Sequence, residues 1–182
     1  YEISANETLA KVGALFHDIG KLKNPQCFSE NQFGENIHDN LDPSVSAQMI
    51  MRHVSDGLEM ADDAGLPKVV RDIIEQHHGT TLVKYFFVKC AKEKDKTGDV
   101  VHESDFRYPG PIPQSKEAAV VMLADTVEAA VRSYVSSGND SAGIEGLVDK
   151  LFKDKLDDGQ LDDCRLDLKE IEVIKKSFMK ML

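Results

Sequence analysis

Apolar residues along this chain recur three and four positions apart and nowhere alternate with period two, so its elements should be helices. Helical stripes bury themselves against one another, which predicts an all-α bundle. Metal-binding side chains stand inside these stripes. His17 and Asp18 lie in Ala-Leu-Phe-His-Asp-Ile-Gly-Lys (14–21), and His77-His78 closes a run that begins Val69-Val70. An imidazole beside a carboxylate on an apolar helix has several polar atoms to satisfy, and a shared cation satisfies them together.

At 182 residues the chain suits one domain, 1–182, rather than two. No apolar run approaches the ~20 residues of a membrane span, and no signal-peptide pattern opens the chain. A formal charge of −10 argues against long nucleic acids, whose phosphates call for Lys and Arg. A small anionic substrate stays open where metal ions supply positive charge. Cys27, Cys90 and Cys164 are odd in number and widely spaced, which suits reduced thiols in a cytosolic compartment.

Ser4 and Glu7 resemble a capping box, followed by a helix carrying Leu9, Val12, Leu15, Phe16 and Ile19, with Gly20 placed to end it. Residues 24–42 form a polar connection. Asp42-Pro43 then gives an N-cap and an N1 proline, with Val45, Met49, Ile50, His53 and Val54 on one face of a second helix. A third carries Val69, Val70, Ile73, Ile74 and His77, and a fourth spans about 82–94. Residues 95–114 are charged and then turn-rich, a length of loop that is usually functional or mobile. The most apolar helix follows over about 115–135. Two amphipathic helices finish the chain, marked by Ile144, Leu147, Val148, Leu151 and Phe152, then by Leu168, Ile171, Ile174 and Phe178.

Taken alone, His17-Asp18 would be a helix-end histidine beside a surface aspartate, and His53 a core or surface residue. Adjacent helical side chains diverge by about 100°, so His17 and Asp18 can converge on one centre only at a helix end. Asp125 sits among Val121, Met122, Glu128 and Ala129, where an unpaired carboxylate would cost several kcal/mol or stay protonated. Together these residues offer enough ligands for two metal ions, which suggests a metal-dependent phosphohydrolase. Lys21 is placed to meet a substrate phosphate. His38, in a polar segment, is a candidate for the rim of the site, and His102 is not expected to be a ligand.

The motif Phe-His-Asp-Ile-Gly-Lys (16–21), with the later histidine, doublet and aspartate, resembles the HD-domain metal-dependent phosphohydrolase superfamily. The likeness is narrower to its seven-transmembrane-receptor branch, the PgpH-type cyclic di-AMP phosphodiesterases. Phe-Ser-Glu-Asn-Gln (28–32), residues 42–54, His-His-Gly-Thr-Thr (77–81), Arg-Tyr-Pro-Gly-Pro-Ile-Pro (107–113), Ala-Asp-Thr-Val-Glu-Ala-Ala (124–130) and Asp-Gly-Gln-Leu-Asp (158–162) carry it, so it covers nearly the whole chain.

The resemblance implies a compact HD-type helical bundle and a binuclear centre. Asp18 would bridge two ions and act in catalysis with Lys21; His53, His77 and His78 would complete one ion, and His17 and Asp125 would serve the other. Iron or manganese suits such mixed ligands. Lys21, His38, Thr80, Tyr85, Arg107 and Tyr108 become candidates for substrate contact, with Phe86 as a further wall for an adenine. The implied reaction is metal-dependent hydrolysis of cyclic di-AMP to the linear dinucleotide pApA, by the cytoplasmic part of a protein anchored through an upstream membrane region. A homodimer is compatible with it. Relatives also supply a metal-binding histidine from a helix before the His-Asp motif, whereas this chain begins at Tyr1. No Gly-Tyr-Pro follows the doublet, which argues against the branch acting on cyclic di-GMP. The rival expectations are an HD nucleotidase or triphosphohydrolase acting on mononucleotides, and a non-catalytic HD module that binds a ligand.

Overall fold

A computed structural model describes residues 3–32, 34, 36–95 and 98–182. Among these residues there are seven α-helices and no strand; the one sheet-like contact is an isolated bridge between Leu82 and Arg107.

Helix α1 (Glu7–Phe16) starts at Asn6, whose side chain accepts from the Leu9 N–H. The cap therefore lies two residues later than the expected box at Ser4. Gly20 does not end this helix. His17 is the C-cap, and Gly20 falls in a 3₁₀ turn, Ile19–Lys23, that presses against α2 (Pro43–Asp63). A Cβ at Gly20 would lie 1.9 Å from the His53 carbonyl oxygen and 2.4 Å from the Gly57 nitrogen. Glycine is needed there for space, and the space brings the His17–Asp18 turn against the middle of α2.

Helix α2 begins as expected, with Asp42 accepting from the Ser44 N–H and Pro43 in the first turn. A cap of this kind is worth about 1 kcal/mol. Its inward face carries Ala47, His53, Val54, Gly57 and Ala61, while Val45 is exposed. On α3 (Lys68–Gln76), Val70, Ile73 and Ile74 turn inward and Val69 outward. Helix α4 (Lys84–Lys94) starts two residues late because Leu82 pairs with Arg107 and the Val83 N–H donates to the Phe106 carbonyl.

The described residues of the long connections are more ordered than their polarity suggests. Residues 24–42 contain the 3₁₀ turns Pro25–Cys27, Ser29–Asn31 and Ile37–Asn40, which bury Cys27, Phe28 and His38. In the second, Phe106 and Tyr108 are buried. Helix α5 (Lys116–Ser136), capped by Ser115, packs through Met122, Leu123 and Val127 on α6 (Ile144–Asp157) and α7 (Leu168–Met179). Leu168 is exposed, so the inward face of α7 is Ile171 and Ile174. A second cluster joins Ala47, Phe86, Cys90 and Phe106; a third joins Ala61, Val70 and Ile74 with Leu9, Val12 and Phe16. All three cysteines are buried free thiols.

The close approach at Gly20 generates a prediction. Gly20→Ala forces a methyl group into the backbone of α2 and should destabilise the protein by about 1–3 kcal/mol or more. Gly146→Ala, on an open face of α6, should be neutral or stabilising by up to about 1 kcal/mol. Denaturant midpoints compare the two; equal stabilities would refute the contact at Gly20.

Candidate metal centre

His17 ends α1 with helical backbone angles, but Asp18 leaves the helix at φ −106° and ψ 14°. That break turns two neighbouring side chains toward one point. His53 reaches it from the middle of α2, His77 from the C-cap of α3, and Asp125 from α5. Asp125 is not sunk in the core: its side chain is 20% exposed and faces the cluster.

Three imidazoles are held by one device. The Nδ1 atoms of His17, His53 and His77 lie 2.8, 2.7 and 2.7 Å from the carbonyl oxygens of Ala14, Ile50 and Ile74, each three residues back. A carbonyl only accepts, so Nδ1 carries the proton and in the neutral ring Nε2 presents a lone pair. His53 Nε2 and His77 Nε2 face each other at 3.2 Å. Two acceptors cannot bond to each other, and a cation between such nitrogens converts repulsion into ligation.

Asp18 divides its oxygens. Oδ1 lies 3.3 Å from His53 Nε2 and 3.7 Å from His77 Nε2, while Oδ2 lies 3.0 Å from His17 Nε2 and 2.8 Å from Lys21 Nζ. His17 Nε2 is also 3.7 Å from Asp125 Oδ1, and His78 Nδ1 is 3.8 Å from Asp125 Oδ2. Despite this crowding, His17 Nε2 and Asp18 Oδ1 are buried without a properly aligned hydrogen-bond partner among the described residues. Ligand atoms gather into two sets, Asp18 with His53, His77 and His78, and His17 with Asp18 and Asp125. Unmatched lone pairs and a carboxylate common to both sets fit bound cations.

For His53, His77 and His78 the electrostatics agree with that fit. Burial disfavours charge on His53, holding its pKa down; burial together with the neighbouring His53 and His17 takes His77 down to about 3. Burial, then His77 and His53, holds His78 well below the usual range. These three rings are therefore neutral, the form that ligates a metal. His17 differs: burial opposes its charge, but the Asp125 and Asp18 carboxylates outweigh it and push its pKa up to about 10, so a cation joining this set displaces the His17 proton. Burial works against ionising Asp18 too, yet His17 and Lys21 hold its carboxyl well below the usual range.

The cluster forms one wall of a chamber of about 660 Å³, which Lys21, Phe28, His38, Phe86 and Tyr108 also line. Lys21 Nζ stands over the Phe28 ring, 5.0 Å from its centroid, and donates to Glu30 at 2.7 Å. Tyr108 stacks on His78 with ring centroids 4.3 Å apart. Of the candidates for substrate contact, Lys21, His38, Phe86 and Tyr108 border this space. Tyr85 is 69% exposed and lies outside the lining. A larger groove of about 830 Å³, near α7, includes none of the clustered ligands.

Thr80 and Arg107 are outside the chamber's lining and belong to a clamp of hydrogen bonds that no local sequence pattern by itself indicates. The fully buried Gln160 amide accepts from the Thr80 N–H at 2.9 Å and donates to the Thr80 hydroxyl at 2.8 Å. Arg107 donates to the Thr80 carbonyl at 2.8 Å and pairs with Asp158. Lys155, whose pKa burial lowers to about 8, donates to the Thr81 hydroxyl at 2.7 Å. Gly79, at φ +53°, leaves room for the Gln160 oxygen, which a Cβ would meet at 2.3 Å. The clamp holds the segment following His78. Its sequence trace was the glycine after the doublet and the buried polar residue within Asp-Gly-Gln-Leu-Asp. Phe28, which sequence alone does not single out, meets His53 edge-on with ring centroids 5.6 Å apart.

A family model described as HD domain matches residues 2–130. Over 176 residues the chain is 50% identical to the cyclic-di-AMP phosphodiesterase PgpH of Bacillus subtilis (strain 168), a match covering 96% of this chain and 24% of that protein. It is 44% identical over 179 residues to the cyclic-di-AMP phosphodiesterase PgpH of Listeria monocytogenes serotype 1/2a (strain 10403S), covering 98% and 24%. The chain thus spans about a quarter of the length of these relatives. The crystal structure of the L. monocytogenes phosphodiesterase PgpH HD domain superposes with a TM-score of 0.89 at 43% identity, covering 99% of this chain and 82% of that one. The structure of that domain in complex with cyclic-di-AMP gives a TM-score of 0.89 at 41% identity. By the extent of the family match and its paired histidine–aspartate ligands, this chain belongs to the HD domain family.

Proposed function

We propose that this domain hydrolyses cyclic di-AMP to the linear dinucleotide pApA at two divalent transition metal ions. The observation that carries the proposal is the pair of ligand sets sharing Asp18, open to a chamber beside Lys21. The relatives named as cyclic-di-AMP phosphodiesterases, and the similar domain solved with cyclic-di-AMP, support the substrate class. Imidazole and carboxylate ligands together suit iron or manganese.

When bound, the ions supply Lewis acidity toward phosphate oxygens and a water made nucleophilic near neutral pH. The chain's residues do the rest. Asp18, with one oxygen toward each ligand set, spaces the two sites. Lys21 is held by Asp18 and Glu30 where it can neutralise charge developing on the phosphate. Tyr108 braces His78. Water attacks one phosphorus in line, the bond from that phosphorus to a ribose 3′ oxygen breaks, and the departing oxygen takes up a proton. That leaves one 5′-phosphate and one free 3′-hydroxyl. No described helix is long and apolar enough to cross a bilayer.

Asp18→Ala should remove bound metal and lower hydrolysis by more than about 100-fold, since second-shell losses alone cost about 10–100-fold. Circular dichroism should show the helices retained. His77→Ala and His78→Ala should each lower the metal content measured by elemental analysis. If only one does, the other is a packing residue.

Four side chains converge at one set and three at the other. Calorimetric titration with Mn²⁺ should therefore resolve a tighter and a weaker site, with His17→Ala abolishing the weaker alone. Two equally tight sites would refute the assignment.

With Mn²⁺ or Fe²⁺ added, cyclic di-AMP should be cleaved faster than cyclic di-GMP. Equal rates, or a preference for mononucleotides, would leave an HD hydrolase of different substrate.

A further inference from the structure

His38 holds its ring in the opposite sense to the clustered histidines. It lies in the 3₁₀ turn Ile37–Asn40, where the Asn36 side chain accepts from the His38 N–H at 3.0 Å. The ring is 5% exposed, and Nε2 sits 2.9 Å from the Cys27 carbonyl oxygen. That carbonyl can only accept, so Nε2 carries the proton and in the neutral ring Nδ1 is a bare lone pair. Nδ1 is buried, and no described residue donates to it. A buried acceptor left unmet carries a desolvation cost that a native structure has reason to recover on binding.

The place of the ring indicates which donor recovers it. His38 borders the same chamber as the metal cluster, with Phe28, Ile50 and Phe86 as apolar neighbours along the wall, and Phe86 meets the ring with centroids 5.3 Å apart. Apolar and aromatic walls accept the face of a purine, and a lone acceptor among them selects a donor on its edge. Adenine presents an amine at its sixth position, whereas guanine presents a carbonyl oxygen there. We propose that His38 Nδ1 accepts a hydrogen bond from the 6-amino group of one adenine of the substrate, making His38 a determinant of base specificity. With guanine, oxygen and nitrogen lone pairs would face each other, both stripped of water. Sites built to bond one polar group reject analogues lacking it far better than apolar pockets reject a change of size. This inference rests on the assignment of the chamber to cyclic di-AMP.

The test compares kcat/KM of the Mn²⁺-loaded protein on cyclic di-AMP and on its analogue with hydrogen in place of both 6-amino groups. The wild type should lose about tenfold on the analogue, the scale of one hydrogen bond. His38→Phe keeps a ring but no acceptor. It should be about tenfold slower on cyclic di-AMP and within about twofold of the wild type on the analogue, with metal content and helical signal retained. Equal kcat/KM of the wild type on both substrates would overturn the proposal whether or not the variant folds. A folded His38→Phe that still discriminates tenfold would overturn it too. Failure of the wild type to cleave cyclic di-AMP at all would instead remove the assignment of the chamber, and this inference with it.

Discussion

Three hydrogen bonds from imidazole Nδ1 to carbonyls three residues back govern this structure. Two of the carbonyls, Ala14 and Ile74, lie in the last turns of α1 and α3, where helix carbonyls lack intrahelical partners. A bond that completes a helix end therefore also fixes the tautomer and direction of a ligand. The same helix ends bring partial negative charge to the cluster, which favours cations. The facing Nε2 atoms of His53 and His77 and the unmatched oxygen of Asp18 are groups that a shared cation would satisfy together. Each ring is anchored at its far edge, which leaves the near edge directed at the cluster.

Backbone proximity extends this control. Gly20 lets the 3₁₀ turn after Asp18 lie on the main chain of α2 beside His53, so ligands from two elements share one rigid contact. Gly79 does similar work after the doublet, where Gln160, Arg107 and Lys155 bond residues 80 and 81. Residues far apart in sequence thus fix the segment following His78. Supporting shells of this kind decide affinity nearly as much as the ligands do.

Much of this was legible in the chain. Helical periodicity, the Asp42-Pro43 start of α2 and the position of the apolar helix near 115–135 follow from local physics, because caps and stripes are set by neighbours within a turn or two. The grouping of ligand atoms follows the set that the family resemblance implied. Tyr85 shows the limit: an aromatic residue beside Phe86 looked equally suited to a base-binding wall, yet one step along a helix turns a side chain by about 100° and sends it to solvent. Val45, Val69 and Leu168 were assigned inward for the same reason and lie outward, since apolar identity does not say which face meets a partner.

The sequence by itself determined that helices form, roughly where they start, and that imidazoles and carboxylates suited to metal stand in their apolar stretches. Only the tertiary structure decided that Gly20 is a contact rather than a helix end, that Thr80 and Arg107 join the Gln160 clamp, and that His38 borders the chamber with a buried Nδ1 that no described residue bonds. The physical reason is distance along the chain. Caps and stripes act between residues a few positions apart, whereas the Gln160 clamp on Thr80 and the approach of Gly20 to His53 exist only once separate helices have packed.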